Sequence, residues 1–102
     1  MFLVFIDGAD DAACYPASRL RGMTVAANAT IKMQFEASIG DPDGSNVNTD
    51  LVTLTCTADT EKDVMLAIAK QLEKGGTLLV ADDVASVYCH KDITGCAITL
   101  DV

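Results

Sequence analysis

Residues 30–37, TIKMQFEA, put Ile31, Met33, Phe35 and Ala37 on one side of an extended chain and Lys32, Gln34 and Glu36 on the other. Successive side chains of a strand point to opposite faces, so this period of two predicts a strand with one dry face and one wet face. Residues 51–57, LVTLTCT, repeat the pattern, with Val52, Leu54 and Cys56 on one side and Thr53, Thr55 and Thr57 on the other. The β-branched threonines suit a strand, and Cys56 reads as a small core residue. Between the two lies SIGDPDGSNVNT, dense in Gly, Pro, Asp and Asn, which predicts a long hairpin loop. Upstream, residues 19–26 form a further strand, and Gly22 in its middle predicts a bulge or sharp bend.

One helix is expected, over residues 61–74. Thr60 precedes it and Asp63 stands at the capping-box position, with Glu61 and Asp63 suited to the positive end of the helix dipole. Val64, Ile68 and Leu72 recur at helical spacing beside Met65 and Ala69, giving one apolar stripe that packs on the domain. Gly75 and Gly76 end it. Short strands follow over residues 77–81, 84–90 and 97–102, with Asp82, Asp83 and Gly95 as breaks. The opening MFLVFI is apolar on both faces, so it is either a central strand or one that pairs at a subunit contact. Many short strands with one helix predict a mainly β domain spanning residues 1–102, a small barrel or strongly bent sheet with the helix over one end.

The chain has 102 residues, half of them apolar, which suffices for one small domain with a core. No apolar run reaches the roughly 20 residues of a membrane span. MFLVFID lacks a basic segment and reads as a buried strand in place of a leader, so the expectation is an intracellular protein with reduced cysteines. Fifteen acidic residues against seven basic ones give a net charge of −8. That balance disfavours phosphate-led nucleic-acid binding, which draws on Lys and Arg, and it keeps a small apolar domain soluble.

Residues 86–96, SVYCHKDITGC, hold two of the four cysteines and the single histidine. On a strand Cys89 and His90 face opposite ways, so they do not share a metal, and Cys14 and Cys56 stand alone. Paired ligands at short spacing, the mark of a structural zinc site, are absent. A nucleophilic dyad of Cys14 or Cys56 with His90 has nothing in the sequence to position it. Cys89 is expected inward and His90 outward. Asp41, Asp43, Asn46, Asn48 and Asp50 invite a calcium reading, but Gly44 stands at position four, position twelve is Val52 and no helices flank the loop. A solvated hairpin loop rich in Asx turns is the plainer reading.

The basic residues admit two readings. Arg19 and Arg21 are two apart on a strand, Lys32 lies on the next, and Tyr88, His90 and Lys91 offer rings for base stacking beside a cation. Repeated around a ring of identical subunits, these six make a speculative nucleic-acid surface. Alternatively, Arg19 and Arg21 pair with Asp10, Asp11 or Glu36, which the net charge favours. No phosphate loop, hydrolase motif or framed carboxylate pair is present, so catalysis has no support and no cofactor is expected.

The run VTLTCTADTEKDVMLAIAKQLEKG, followed by LLVADDVASVYCHKDITGCAITL, resembles small proteins of marine cyanophages and ocean metagenomes, in overall pattern from Tyr15 onward. The shared features are a strand ending in a polar turn, a helix reading Asp63-Val64-x-x-Ala67-Ile68, and a segment like SVYCHKDITGC. The resemblance implies a five-stranded, Sm-like barrel that assembles as a homo-oligomeric ring. For this family, nucleic-acid binding is a proposal from fold. The I-R-G signature of true Sm proteins is missing near the C-terminus. Its nearest match, Leu20-Arg21-Gly22, lies early in the chain, so no binding residue is carried over. The leading expectation is therefore a non-enzymatic oligomeric module binding RNA or single-stranded DNA, in the infected cell or the virion. The rival is a structural or assembly protein that binds other proteins. An edge strand, from residues 1–6 or the last strand, is expected to pair across subunits.

Overall fold

A computed structural model describes residues 2–36 and 49–99, the side chain of Ala26 excepted. Eight strands and one α-helix follow in the order β1 (Phe2–Gly8), β2 (Asp11–Pro16), a 3-10 turn (Ala17–Arg19), β3 (Leu20–Ala27), β4 (Thr30–Glu36), β5 (Thr49–Cys56), α1 (Glu61–Lys74), β6 (Thr77–Asp82), β7 (Val87–Tyr88) and β8 (Ile93–Thr99). The strands form two sheets of four, ordered β2-β1-β6-β7 and β3-β4-β5-β8. The mainly β domain with a single helix is thus present. Among the described residues the strand pairings make two sheets and close no barrel.

The alternation in TIKMQFEA decides the second sheet. Ile31, Met33 and Phe35 are fully buried, while Gln34 and Glu36 are exposed. Antiparallel pairing carries this phase to β5, where Met33 faces Val52 and Ile31 faces Leu54, both buried. The residue expected at the end of the β4 strand, Ala37, and most of the loop after it lie outside the described residues. At Gly22 the β3–β4 ladder slips by one residue, the bulge that its glycine foretold, with Arg21 as the extra residue. Arg19 belongs to the 3-10 turn, one step before the strand.

β1 is central. It pairs with β2 antiparallel and with β6 parallel, and it sends Leu3 and Phe5 into the core while Phe2 on its other face is exposed. A subunit contact along its edge is therefore excluded, because both edges carry a neighbour. The two sheets share one core, in which Leu3, Phe5 and Tyr15 meet Ile31, Met33, Phe35, Val52 and Leu54. Tyr15 stacks on Phe35 with ring centroids 4.3 Å apart and planes 11° apart, and Phe5 meets Phe35 edge-on at 5.8 Å. Such aromatic pairs add to the area they bury.

The helix has the expected bounds and buries Val64 and Ile68 in this core, with Leu72 packed against it. Its N-terminus differs from expectation. Thr60 makes no side-chain cap, because its hydroxyl donates instead to the Thr57 carbonyl at 2.6 Å. Glu61 turns back to accept the Ala29 N–H at 2.5 Å, which ties the β3–β4 turn to the start of the helix. At the other end Gly75 and Gly76 take φ values of 76° and 90°, and the Gly76 carbonyl accepts the Phe2 N–H. Positive φ is the conformation glycine supplies at least cost.

The expected strand over residues 84–90 is reduced to Val87 and Tyr88, which pair with Asp82 and Ala81. Asp82 is the reason. Its Oδ1 accepts the N–H groups of Val84 and Ala85 at 3.0 Å, folding residues 83–86 into a turn. Ser86 completes that turn with φ 57°. The last strand correspondingly begins at Ile93, four residues earlier than expected, and its described part ends at Thr99.

Candidate nucleic-acid interface

Directly paired residues on neighbouring strands share a face. Lys32 stands between Thr24 and Thr53, Gln34 between Gly22 and Leu51, and Glu36 beside Thr49. These side chains make the outer face of the β3-β4-β5-β8 sheet, opposite the core. Arg21 joins them, since its Nη1 donates to Thr49 Oγ1 at 3.4 Å. Among the described residues this face carries Arg21 and Lys32 against Glu36, two cations and one anion, in a chain of net charge −8. Arg19 lies exposed in the turn that leads into β3.

Tyr88, His90 and Lys91 belong to the other sheet and its following turn. The alternation that would align Tyr88 with His90 stops at Tyr88, where β7 ends. His90 sits in a bend, its Nδ1 accepting the Asp92 N–H at 3.1 Å and lying 3.6 Å from Asp92 Oδ2. It is half-buried and not an outward strand residue, as had been expected. The Tyr88 hydroxyl donates to Asp83 Oδ1 at 2.9 Å, with the Thr94 carbonyl sharing the same hydrogen at 3.2 Å. Asp83 Oδ2 also accepts the Cys96 N–H. The hydrogen bond to Asp83 holds the Tyr88 phenol above its ordinary pKa. Burial, with Asp83 and Asp11 as neighbours, holds the Asp7 carboxyl above its own. The Tyr88 hydroxyl, where the sequence suggested base stacking, thus sits against a carboxylate.

The six sequence candidates thus divide. Arg21 and Lys32 share one open face with Arg19 at its border, whereas Tyr88 ends a strand of the other sheet beside Asp83, and His90 and Lys91 stand in the turn after it.

Three of the four thiols, Cys56, Cys89 and Cys96, are not poised for nucleophilic work. All four cysteines are free. Burial raises Cys56 and Cys89, and burial with Asp83, Asp7 and Asp11 nearby pushes Cys96 up to about 12. A thiol held that high is protonated and inert at neutral pH. Cys89 packs against the core, as the sequence suggested. Among the described residues no cluster of three or more His, Cys, Asp or Glu side chains is arranged to hold a metal ion.

Of the five oxygen donors in the calcium reading, four lie outside the described residues. The fifth, Asp50, is no loop ligand. It is 1% exposed, faces the core in phase with Val52 and Leu54, and accepts the Tyr15 hydroxyl at 2.7 Å. Its phase was the available signal, for Asp50 stands two residues before Val52 on the same side of the strand. No protein-family model, curated protein or solved structure matches this chain.

Proposed function

We propose that the protein is a non-enzymatic, homo-oligomeric binding module whose working surface is the outer face of the β3-β4-β5-β8 sheet, with RNA or single-stranded DNA as ligand. The observation that carries this reading is the excess, among the described residues, of Arg21 and Lys32 over Glu36 on an open sheet face of an otherwise acidic chain. Threonines surround the two cations, Thr24, Thr49 and Thr53 among them, and their hydroxyls suit phosphate and sugar oxygens. The likeness in pattern to small marine phage proteins supports the same reading and adds the Sm-like ring. One subunit offers few phosphate contacts, so useful affinity requires several copies on one strand.

The test is anisotropy titration of a labelled single-stranded oligonucleotide at several salt concentrations. Binding that weakens with salt, and whose salt slope falls in an Arg21→Ala/Lys32→Ala variant, supports the reading. No binding at low salt overturns it.

A second reading has its own observation. Asp83 and Asp92 occupy the polar groups of Tyr88 and His90, and the chain is acidic overall. Both fit an assembly protein that binds other proteins, as in a virion. Stoichiometric copies in purified particles would favour it over the first.

A further inference from the structure

Each of the two sheets ends in two strands, and three of those four ends are closed in some way. β7 has only two residues. β2 carries Pro16 at one end and Asp10 and Asp11 at the other, and proline and charge both discourage strand addition. β8 turns its free side toward the other sheet, where Cys96 N donates to Asp83 Oδ2 and Cys96 Sγ lies 3.5 Å from the Ile6 carbonyl. β3 differs. It runs for eight residues, LRGMTVAA, with no proline, no acid and a single charge at Arg21, and between the ladder slips at Arg21 and Ala26 its stretch 22–25 is regular.

The core rungs run off this open end. On the rung Val25–Ile31–Leu54–Cys96, Ile31 and Leu54 are 0% exposed and Cys96 is 6%, but Val25 is 49%. Val25 faces the core side of the sheet and, among the described residues, has no strand beside it on its free side. The adjacent rung, Met23–Met33–Val52–Ile98, ends beside it.

From these two observations we infer that β3 takes the β3 strand of a second copy, antiparallel, about a two-fold axis at Thr24. This rests on the homo-oligomeric part of the proposed function; a two-fold contact closes at a dimer, so the contact it names builds a dimer and not the ring. In that register position i meets position 48 − i of the other copy. Val25 then meets Met23, so the Val25 rung of each molecule continues into the Met23 rung of the other. Arg21 meets Ala27, which keeps the two arginines about 20 Å apart at the rise of a strand and avoids a like-charge pair. The strand is thus self-complementary in apolar pattern and in charge. An acidic or proline-bearing edge would not be.

The pairing has a consequence for the outer face. Two four-stranded sheets become one of eight strands, with Lys32, Thr24, and the Thr24 and Lys32 of the second copy in one row. Arg21 and Lys32 are doubled on a single continuous surface, which is the multiplication that a weakly basic face needs.

The experiment uses the full chain in a Cys14→Ser background, since Cys14 is the exposed thiol. Thr24→Cys places the two sulfurs at the axis, where directly paired residues of antiparallel strands lie within disulfide reach. The expected result is a disulfide-linked dimer under mild oxidation, and none for Thr53→Cys, which sits on the same face in the sheet interior. Val25→Lys, which places a charge on the edge, is expected to weaken self-association roughly tenfold or more in sedimentation equilibrium with an unchanged far-ultraviolet spectrum. An oligomer that persists with Val25→Lys and is not trapped through position 24 overturns the β3 contact and leaves oligomerisation standing. A protein monomeric at high micromolar concentration overturns both.

Discussion

The Tyr15 hydroxyl donates to Asp50 Oδ2 at 2.7 Å, with Tyr15 2% and Asp50 1% exposed. The bond joins β2 of one sheet to β5 of the other, deep in the shared core. A buried carboxylate is tolerated only with partners, because its desolvation otherwise costs far more than one hydrogen bond returns. The pair therefore specifies how the sheets meet, as the Tyr15 ring stacked on Phe35 also does. Burial, then Asp50, raises the Tyr15 phenol above its ordinary value, so it is a donor at neutral pH.

Removing one partner tests this. Tyr15→Phe leaves the ring stack intact and deprives Asp50 of a donor, with an expected loss of about 1–3 kcal/mol in chemical denaturation. Tyr15→Phe combined with Asp50→Val is expected to cost less than the two single changes added together, since both single changes remove the same bond.

The β3–β4 turn holds a second relationship open to test. Ala29 has φ 65°, unfavourable for a residue with a Cβ, and is held there from both sides: its N–H goes to Glu61 and its carbonyl accepts the Cys56 N–H. Ala29→Gly relieves the strain, and the unfolded chain gains freedom in return. A net stabilisation of about 0.5–1 kcal/mol is expected in thermal or urea unfolding.

Glu61 and Asp7 give opposite pH dependences. The Ala29 N–H holds the Glu61 carboxyl below its ordinary value of 4.5. Its contribution is thus present above that value and lost as pH falls through the lower folded one. Glu61→Gln should flatten the acid limb of a stability–pH curve. Asp7 is raised from 3.8 by burial and by Asp83, so its contribution is present below that value and lost as pH rises through the higher folded one. Asp7→Asn should therefore stabilise the protein at neutral pH, and the gain should vanish toward pH 3. A gain of the same size at both pH values would refute the assignment.

Thiol labelling separates the cysteines. Cys14 is exposed on β2, while burial raises Cys56, Cys89 and Cys96. Iodoacetamide at neutral pH should modify one site rapidly, located at Cys14 by peptide mapping, and Cys14→Ser should remove the fast phase. Fast labelling at Cys96 would contradict the packing of β8 against the Ile6 carbonyl.

Local pattern was enough for the elements with a strong period. The alternation of Ile31, Met33 and Phe35 set which face of β4 is dry, and that of Val52, Leu54 and Cys56 did so for β5. The stripe of Val64 and Ile68, closed by Gly75 and Gly76, set the helix and its end. These depend on geometry within a few residues, which sequence records directly. Three matters were decided only in the tertiary structure. Asp82 folded the expected strand over residues 84–90 into a turn, because two free N–H groups came within reach of its carboxylate. Asp50 left the set of loop ligands because Tyr15, 35 residues away, supplied its donor. The basic and aromatic candidates parted because strand pairing sent Arg21 and Lys32 to one sheet and Tyr88 to the other. A side chain's neighbours across strands are set by long-range pairing and register, and no local period encodes them.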